Sequence, residues 1–352
     1  MNTSPRPPTP INTPSYPREF QQVILEKTQN FVDRTFVFTA ISNFLQRHNR
    51  GYFTIVGAPG SGKSAILAKY VQENPHVIYY NAQLPGKNRA EEFLTSTCAQ
   101  LARTSGDTSL YSLLQQVSDQ LNPGQKLIIA IDALDAIDTS HQSIGSNIFY
   151  LPRYLPQGVY FLLTRRPFLK TKSGLLIEAP SQVLDLAAYP EQNREDIESY
   201  IRCYVNNDEE LVAQLIAYSE NNFMYLSQIL PAISHSEALA SHRASEFDGL
   251  PRGLEAYYRQ HLDKMIPANL PSLERELKLS VLKVLAEVSL SPEAIASRID
   301  VDEYDVEEVL EDWREFLRLE EVDGEIRYGV YHWSFGDFLQ RFLGTNGLSQ
   351  KF

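Results

Sequence analysis

The chain has 352 residues, 43% of them hydrophobic and 22% charged, enough apolar material for two or three domains with proper cores and too much for a disordered chain. Its 32 basic and 44 acidic side chains leave a formal charge of −12, which repels phosphate backbones unless basic groups gather locally, so nucleic acid is not expected as a partner. Cys98 and Cys203 are the only cysteines and stand in no metal-ligand spacing, which argues against a disulfide framework or a zinc site and for a reducing cytoplasm.

Pro5, Pro7, Pro8, Pro10, Pro14 and Pro17 stand among Ser, Thr and Asn, a composition that cannot bury a core, and residues 1–19 are read as a disordered tail. No basic patch and apolar run follow Met1, and the longest apolar stretch, Leu127 to Ile131, is far short of the ~20 residues that span a bilayer. Export and membrane insertion are therefore not expected, and a cytoplasmic location is. From Phe20 the pattern turns helical, with Phe36, Val37, Ala40, Ile41, Phe44 and Leu45 at helical spacing until Arg50-Gly51 breaks it.

Five β-rich runs follow, Tyr52 to Val56, Val77 to Tyr80, Leu127 to Ile131, Val159 to Leu163 and Gln182 to Leu186, separated by stretches with helical apolar spacing. Nearly all-apolar strands alternating with helices predict a mostly parallel α/β sheet with helices on both faces, whose ligand site lies at the carboxyl ends of its strands. Residues 20–188 are read as that α/β domain. Helical patterns over Arg194 to Val205, Glu209 to Ser219, Phe223 to Ile229 and Leu254 to Met265 predict a helical domain over 189–268. Helices at Leu273 to Glu287, Pro292 to Ile299 and Val301 to Leu319 then precede two β runs, Glu320 to Val322 and Glu325 to Val330, joined across Asp323-Gly324. Such a hairpin after helices predicts a winged-helix domain over 269–352.

Gly57-Ala58-Pro59-Gly60-Ser61-Gly62-Lys63-Ser64 satisfies G-x-x-x-x-G-K-[ST], directly after one β run and before the helical Ala65 to Val71. Its glycines let backbone N–H groups converge on phosphate oxygens, Lys63 reaches for the β and γ phosphates, and the Ser64 hydroxyl suits Mg²⁺. A carboxylate to hold the metal's water shell is expected at the end of a neighbouring strand, and Leu127-Ile128-Ile129-Ala130-Ile131 delivers Asp132 there. Asp135, three residues on, is placed to orient an attacking water. Phe161-Leu162-Leu163-Thr164-Arg165-Arg166-Pro167 ends a further strand in two arginines, either of which suits the γ-phosphate charge.

From about Phe31 to Leu343 these motifs, in this order, resemble the STAND class of P-loop ATPases and, within it, the NACHT-like signalling ATPases. Phe31-Val32-Asp33-Arg34 is similar to the family's short N-terminal motif, which implies Val32 backbone against adenine, with Asp33 where a glycine is usual. The resemblance implies nucleotide contacts running from Gly57 through Ser64 to Ala65. Asp132-Ala133-Leu134-Asp135-Ala136 resembles the extended Walker B motif, with Ala136 in place of the usual acidic residue, which implies slow hydrolysis. Leu163 to Pro167 resembles the sensor 1 segment, where the arginine precedes proline, and this favours Arg166. Asn222-Phe223-Met224-Tyr225-Leu226 resembles the helical-domain motif that sets a proline against adenine, with Phe223 in its place. Tyr331-His332-Trp333-Ser334-Phe335 resembles the winged-helix histidine motif and implies that His332 touches the β-phosphate of ADP.

The implied function is an ATP/ADP and Mg²⁺ switch, closed with ADP and open with ATP, that self-associates on activation and works with sensor or effector proteins. A scaffold that binds ATP without turnover is one alternative. An initiator-like AAA+ ATPase that sets a winged helix on DNA is another. Against DNA stand 18 acidic and 9 basic residues over Ser272 to Phe352, and a helix beginning Asp302-Glu303-Tyr304-Asp305-Val306-Glu307-Glu308.

Overall fold

Every residue of the strands Gly51–Val56 (β1), Ile78–Asn81 (β2) and Leu127–Asp132 (β3) is buried, which requires cover on both faces of the sheet. Val159–Arg165 (β4) is buried until its last residue, whereas Ser181–Asp185 (β5) exposes most of its positions. The five strands are parallel in the order β2-β3-β4-β1-β5, so β5 and β2 are the edges. The computed structural model describes residues 16–101, 110–138, 142–143, 146–167, 175–205, 208–234, 253–313, 316–322, 325–330 and 333–346.

The chain divides into two compact units, one of Met1–Ile216 with Asn221–His242 and the other of Ala217–Glu220 with Arg243–Phe352. In the first, the helices Arg18–Thr28 (α1), Thr35–Arg47 (α2), Lys63–Glu73 (α3), Ala90–Gln100 (α4) and Leu110–Ser118 (α5) accompany the sheet. Phe20, Ile41, Phe44, Leu67, Phe93 and Leu114 from these helices join the sheet's apolar side chains in one core, as helix stripes against a two-faced sheet must. Pro190–Arg202 (α6), Glu209–Ser219 (α7) and Phe223–Ser234 (α8) follow β5. The sequence pattern starts α6 at Arg194. The helix begins four residues earlier because Pro190 takes the first helical turn, where its missing N–H costs nothing.

The second unit holds Gly253–Met265 (α9), Ser272–Glu287 (α10), Pro292–Ile299 (α11) and Glu303–Asp312 (α12), then the hairpin strands Leu317–Val322 (β6) and Glu325–Val330 (β7), and Trp333–Asn346 (α13). Its core is anchored by Trp313, 1% exposed, whose indole N–H donates to the Met265 carbonyl at 2.9 Å. One predicted element is corrected here: the helix expected over Val301 to Leu319 stops at Asp312, and Leu317 to Leu319 belong to β6. The helical spacing of Val306, Val309 and Leu310 holds only that far. Beyond it Leu317 pairs with Val330 and Leu319 with Tyr328 in an antiparallel ladder, and the cross-strand pairing overrides the apolar periodicity. Leu290 exchanges backbone hydrogen bonds with Tyr328 at 3.1 and 2.8 Å, extending the ladder by one bridge. Among the described residues no helix is long and apolar enough to cross a membrane.

Candidate functional site

The glycine-rich loop leaves the carboxyl end of β1 and returns into α3. Gly60 and Gly62 adopt φ of +79° and +89°, a region costly for any side chain but open to glycine. The loop folds over its own lysine: Lys63 Nζ donates to the carbonyls of Gly57 at 2.7 Å and Ala58 at 2.9 Å. Burial pushes the ammonium down to about 8, opposed by the charges of Asp132 and Asp135. A partly desolvated cation in a glycine-rich loop at the N-terminus of α3 is a site for an anionic oxygen cluster.

Asp132 closes β3 and is fully buried. The strand order places β2 and β4 on its two sides, and each brings a polar residue to its level. Ser64 Oγ donates to Asp132 Oδ1 at 3.1 Å, Thr164 Oγ1 donates to the same oxygen, and Asn81 Nδ2 donates to Oδ2 at 3.2 Å. Burial raises the carboxyl above its usual range, while the Thr164 and Ser64 hydroxyls and the Lys63 charge pull it back. Thr164 Oγ1 also accepts from the Ala133 N–H at 2.8 Å and so fixes the turn after β3. Among the described residues no three His, Cys, Asp or Glu side chains gather to hold a metal by themselves. The Ser64 hydroxyl and the Asp132 carboxylate instead form a hard oxygen pair that fits Mg²⁺ carried in with phosphates and water.

Asp135 and Arg166 meet as one two-pronged pair: Arg166 Nε lies 2.9 Å from Asp135 Oδ2, and the Arg166 backbone N–H donates to Oδ1 at 2.9 Å. Arg165, the last residue of β4, turns its NH1 to the Arg166 carbonyl at 2.9 Å, and burial lowers its guanidinium. Of the two arginines, Arg166 is joined to Asp135 by an ion pair and a backbone hydrogen bond. Val32 is half-buried. The Phe223 ring lies 4.5 Å from the Arg34 guanidinium carbon and 5.6 Å from the Tyr200 ring. His332 lies outside the described residues.

Sequence reasoning passed over Arg34, Asn81, Thr164, Asn193, Asp196 and Asn222. Arg34 is 2% exposed and sits at φ +52°. Its NH2 donates to the Ser61 carbonyl at 2.7 Å, its NH1 donates to Asn193 Oδ1, and NH1 lies 3.3 Å from Asp196 Oδ2. Burial lowers this guanidinium to about 10, against the Asp196 charge. A polar residue at the end of an apolar run, as Asn81 and Thr164 are, is a signal that a strand-end site offers. No local pattern flags Asn193 or Asp196.

A family model described as an AAA domain matches residues 46–157. No curated protein sequence matches the chain. Among solved structures the chain is similar to a Drosophila ORC bound to DNA, at 13% identity and a TM-score of 0.40, covering 94% of this chain and 100% of that one. It is also similar to Cdc6p from Pyrobaculum aerophilum, at 12% identity, a TM-score of 0.39 and coverage of 96% and 97%. A third is the Thermotoga maritima RuvB Holliday junction branch migration motor, at 11% identity, a TM-score of 0.31 and coverage of 92% and 94%. The family match is thus to an AAA P-loop domain and not to a NACHT-like one. The expectation that nucleic acid is no partner is corrected by the DNA-bound ORC among these structures. A net charge summed over a whole chain does not say how charge is distributed over its surfaces, and exclusion on that ground fails.

Proposed function

We propose that this chain is an ATP- and ADP-binding, Mg²⁺-dependent ATPase of the AAA type, whose bound nucleotide sets its conformation. The observation that carries the reading is the Lys63 ammonium folded under the glycine-rich loop, beside a Ser64 hydroxyl 3.1 Å from the buried Asp132 carboxylate. Loop N–H groups of Gly60, Gly62, Lys63 and Ser64 would bind the phosphate chain, the Ser61 N–H being given to the Ala58 carbonyl at 3.2 Å, and Lys63 would neutralise its terminal oxygens. Ser64 and Asp132 would hold Mg²⁺, which supplies charge neutralisation at the β and γ phosphates. Thr164 and Asn81 keep the Asp132 carboxylate in one orientation, and Asp135 holds Arg166 for the γ-phosphate. Turnover is expected to be slow, because Ala136 offers no second carboxylate to orient water.

The test is to identify nucleotide released on denaturing the purified protein, then to measure ADP binding and Mg²⁺-dependent phosphate release. Lys63→Ala should abolish binding. Asp132→Asn should keep ADP binding without metal and lose about 100-fold or more in hydrolysis. A wild-type protein that neither retains nor takes up nucleotide at millimolar concentration defeats the proposal.

A second reading is an initiator-like ATPase acting on duplex DNA; it is consistent with a family match over residues 46–157 to an AAA domain rather than a NACHT-like one. α12 carries Glu303, Asp305, Glu307, Glu308, Glu311 and Asp312, so duplex contacts are expected from other surfaces. Fluorescence anisotropy of a labelled duplex should rise with protein and ATP and fall back with added salt. No change up to about 10 μM protein at low salt, together with nucleotide-dependent self-association on sizing, would return the reading to the signalling switch.

A further inference from the structure

A loop that turns its N–H groups inward around an anion must turn its carbonyls outward, and outward carbonyls need donors. In this loop the donors fall into two sets. Gly57 and Ala58 accept from Lys63 of the loop itself. The next three carbonyls accept from residues far away in the chain: Pro59 from Asn222 Nδ2 at 3.0 Å, Gly60 from the Phe223 N–H at 2.9 Å, and Ser61 from Arg34 NH2 at 2.7 Å. The Asn222 amide also sits against the Gly60 α-carbon, where a Cβ would come within 2.1 Å of Oδ1. Its oxygen is engaged at the same time, accepting from the Met224 and Tyr225 N–H groups at 3.0 and 3.2 Å as the N-cap of α8. One side-chain amide thus ties the first turn of α8 to the back of the phosphate loop.

We infer that Asn222 is a positioning residue for phosphate binding, holding the loop's inward N–H groups by its outward carbonyls and making loop geometry depend on the seating of α8. This rests on the nucleotide-binding reading above. The function of Asn222 divides between two atoms, and substitutions separate them. Asn222→Asp keeps the capping oxygen and replaces the donor by a second acceptor facing the Pro59 carbonyl. Asn222→Ala removes both.

A cap and nothing more would make both properties follow one order, with Asp equal to Asn in melting and in ADP affinity, and Ala below them. Positioning splits the orders. Melting of the nucleotide-free protein should leave Asp within about 2 °C of wild type and lower Ala by about 2–4 °C, the loss of one cap. ADP affinity, read by fluorescence titration with a labelled ADP, should fall about tenfold for Ala and at least as far for Asp. An Asp variant binding ADP within about twofold of wild type overturns the inference. Lys63→Ala, run in parallel, tells the two failures apart. If it loses ADP while the Asn222 variants keep it, positioning alone fails; if it also binds like wild type, the nucleotide reading fails and takes the inference with it.

Discussion

Arg34→Ala tests how the buried polar network behind the phosphate loop is held. Arg34 and Asp196 are 2% and 8% exposed, 3.3 Å apart. Removing the arginine leaves Asp196 without its counter-charge and the Ser61 carbonyl and Asn193 Oδ1 each without a donor. Breaking a buried ion pair from one side costs about 3–5 kcal/mol. Most of the cost is a carboxylate stranded away from water rather than a lost attraction, so Arg34→Met with Asp196→Leu should regain about 2 kcal/mol relative to Arg34→Ala. The acidic side has a definite sign. Burial already raises the Asp196 carboxyl and the Arg34 charge lowers it, so Arg34→Ala raises it further. A carboxyl with a folded value above its unfolded one binds more protons when folded, which favours folding at low pH and loses that benefit as pH rises through the folded value. The deficit should therefore be largest at neutral pH and narrow as pH falls toward about 4. Urea unfolding followed by circular dichroism at several pH values measures it. A deficit below about 1 kcal/mol, or one that does not narrow with acidity, refutes the account of a stranded carboxylate.

Because burial holds the Lys63 ammonium at about 8, and phosphate is bound by the charged form, ADP affinity should be full below that value and fall as pH rises through it. The decline approaches about tenfold per unit on the alkaline side, and calorimetric titration from pH 7 to 9.5 should show it. A flat profile over that range would place Lys63 outside the binding of phosphate. Asp135→Ala should release Arg166 from its two-pronged hold, leaving ADP affinity within about threefold and lowering single-turnover ATP hydrolysis about tenfold or more. Unchanged hydrolysis would remove both residues from the chemistry.

What is local in the chain was legible in the residues. Gly57 to Ser64 declares its loop because the required glycines, lysine and hydroxyl are contiguous, and Asp132 declares itself as a carboxylate at the end of an apolar run. Four of the five β runs are legible because burial on both faces leaves almost no polar residue in them, whereas β5 is a largely exposed edge; all five boundaries lie within a residue or two of the apolar runs. Where two periodicities compete, as between Val301 and Leu319, local spacing alone does not mark the helix end at Asp312, since the hairpin partner that fixes the ladder lies further on in the chain. A sum of charges is a poor guide to partners because it discards position.

What only the tertiary structure decided is which distant residues share an environment. Nothing in the order of the strands along the chain says that β4 lies between β1 and β3, yet that placement brings Thr164 to Asp132, and β2 on the other side brings Asn81. Arg34 and Asn193, 159 positions apart, have no periodic relation and meet because both are packed behind the phosphate loop. Asn222 carries no role in the sequence beyond opening a helical-domain motif, and only the fold shows it capping α8 and donating to the Pro59 carbonyl. Residue type and spacing determine what each segment can bury or bind, because those preferences act over a few residues. The choice of partner belongs to the packed interior, where a polar group cut off from water must be matched by whichever donor the topology brings within reach.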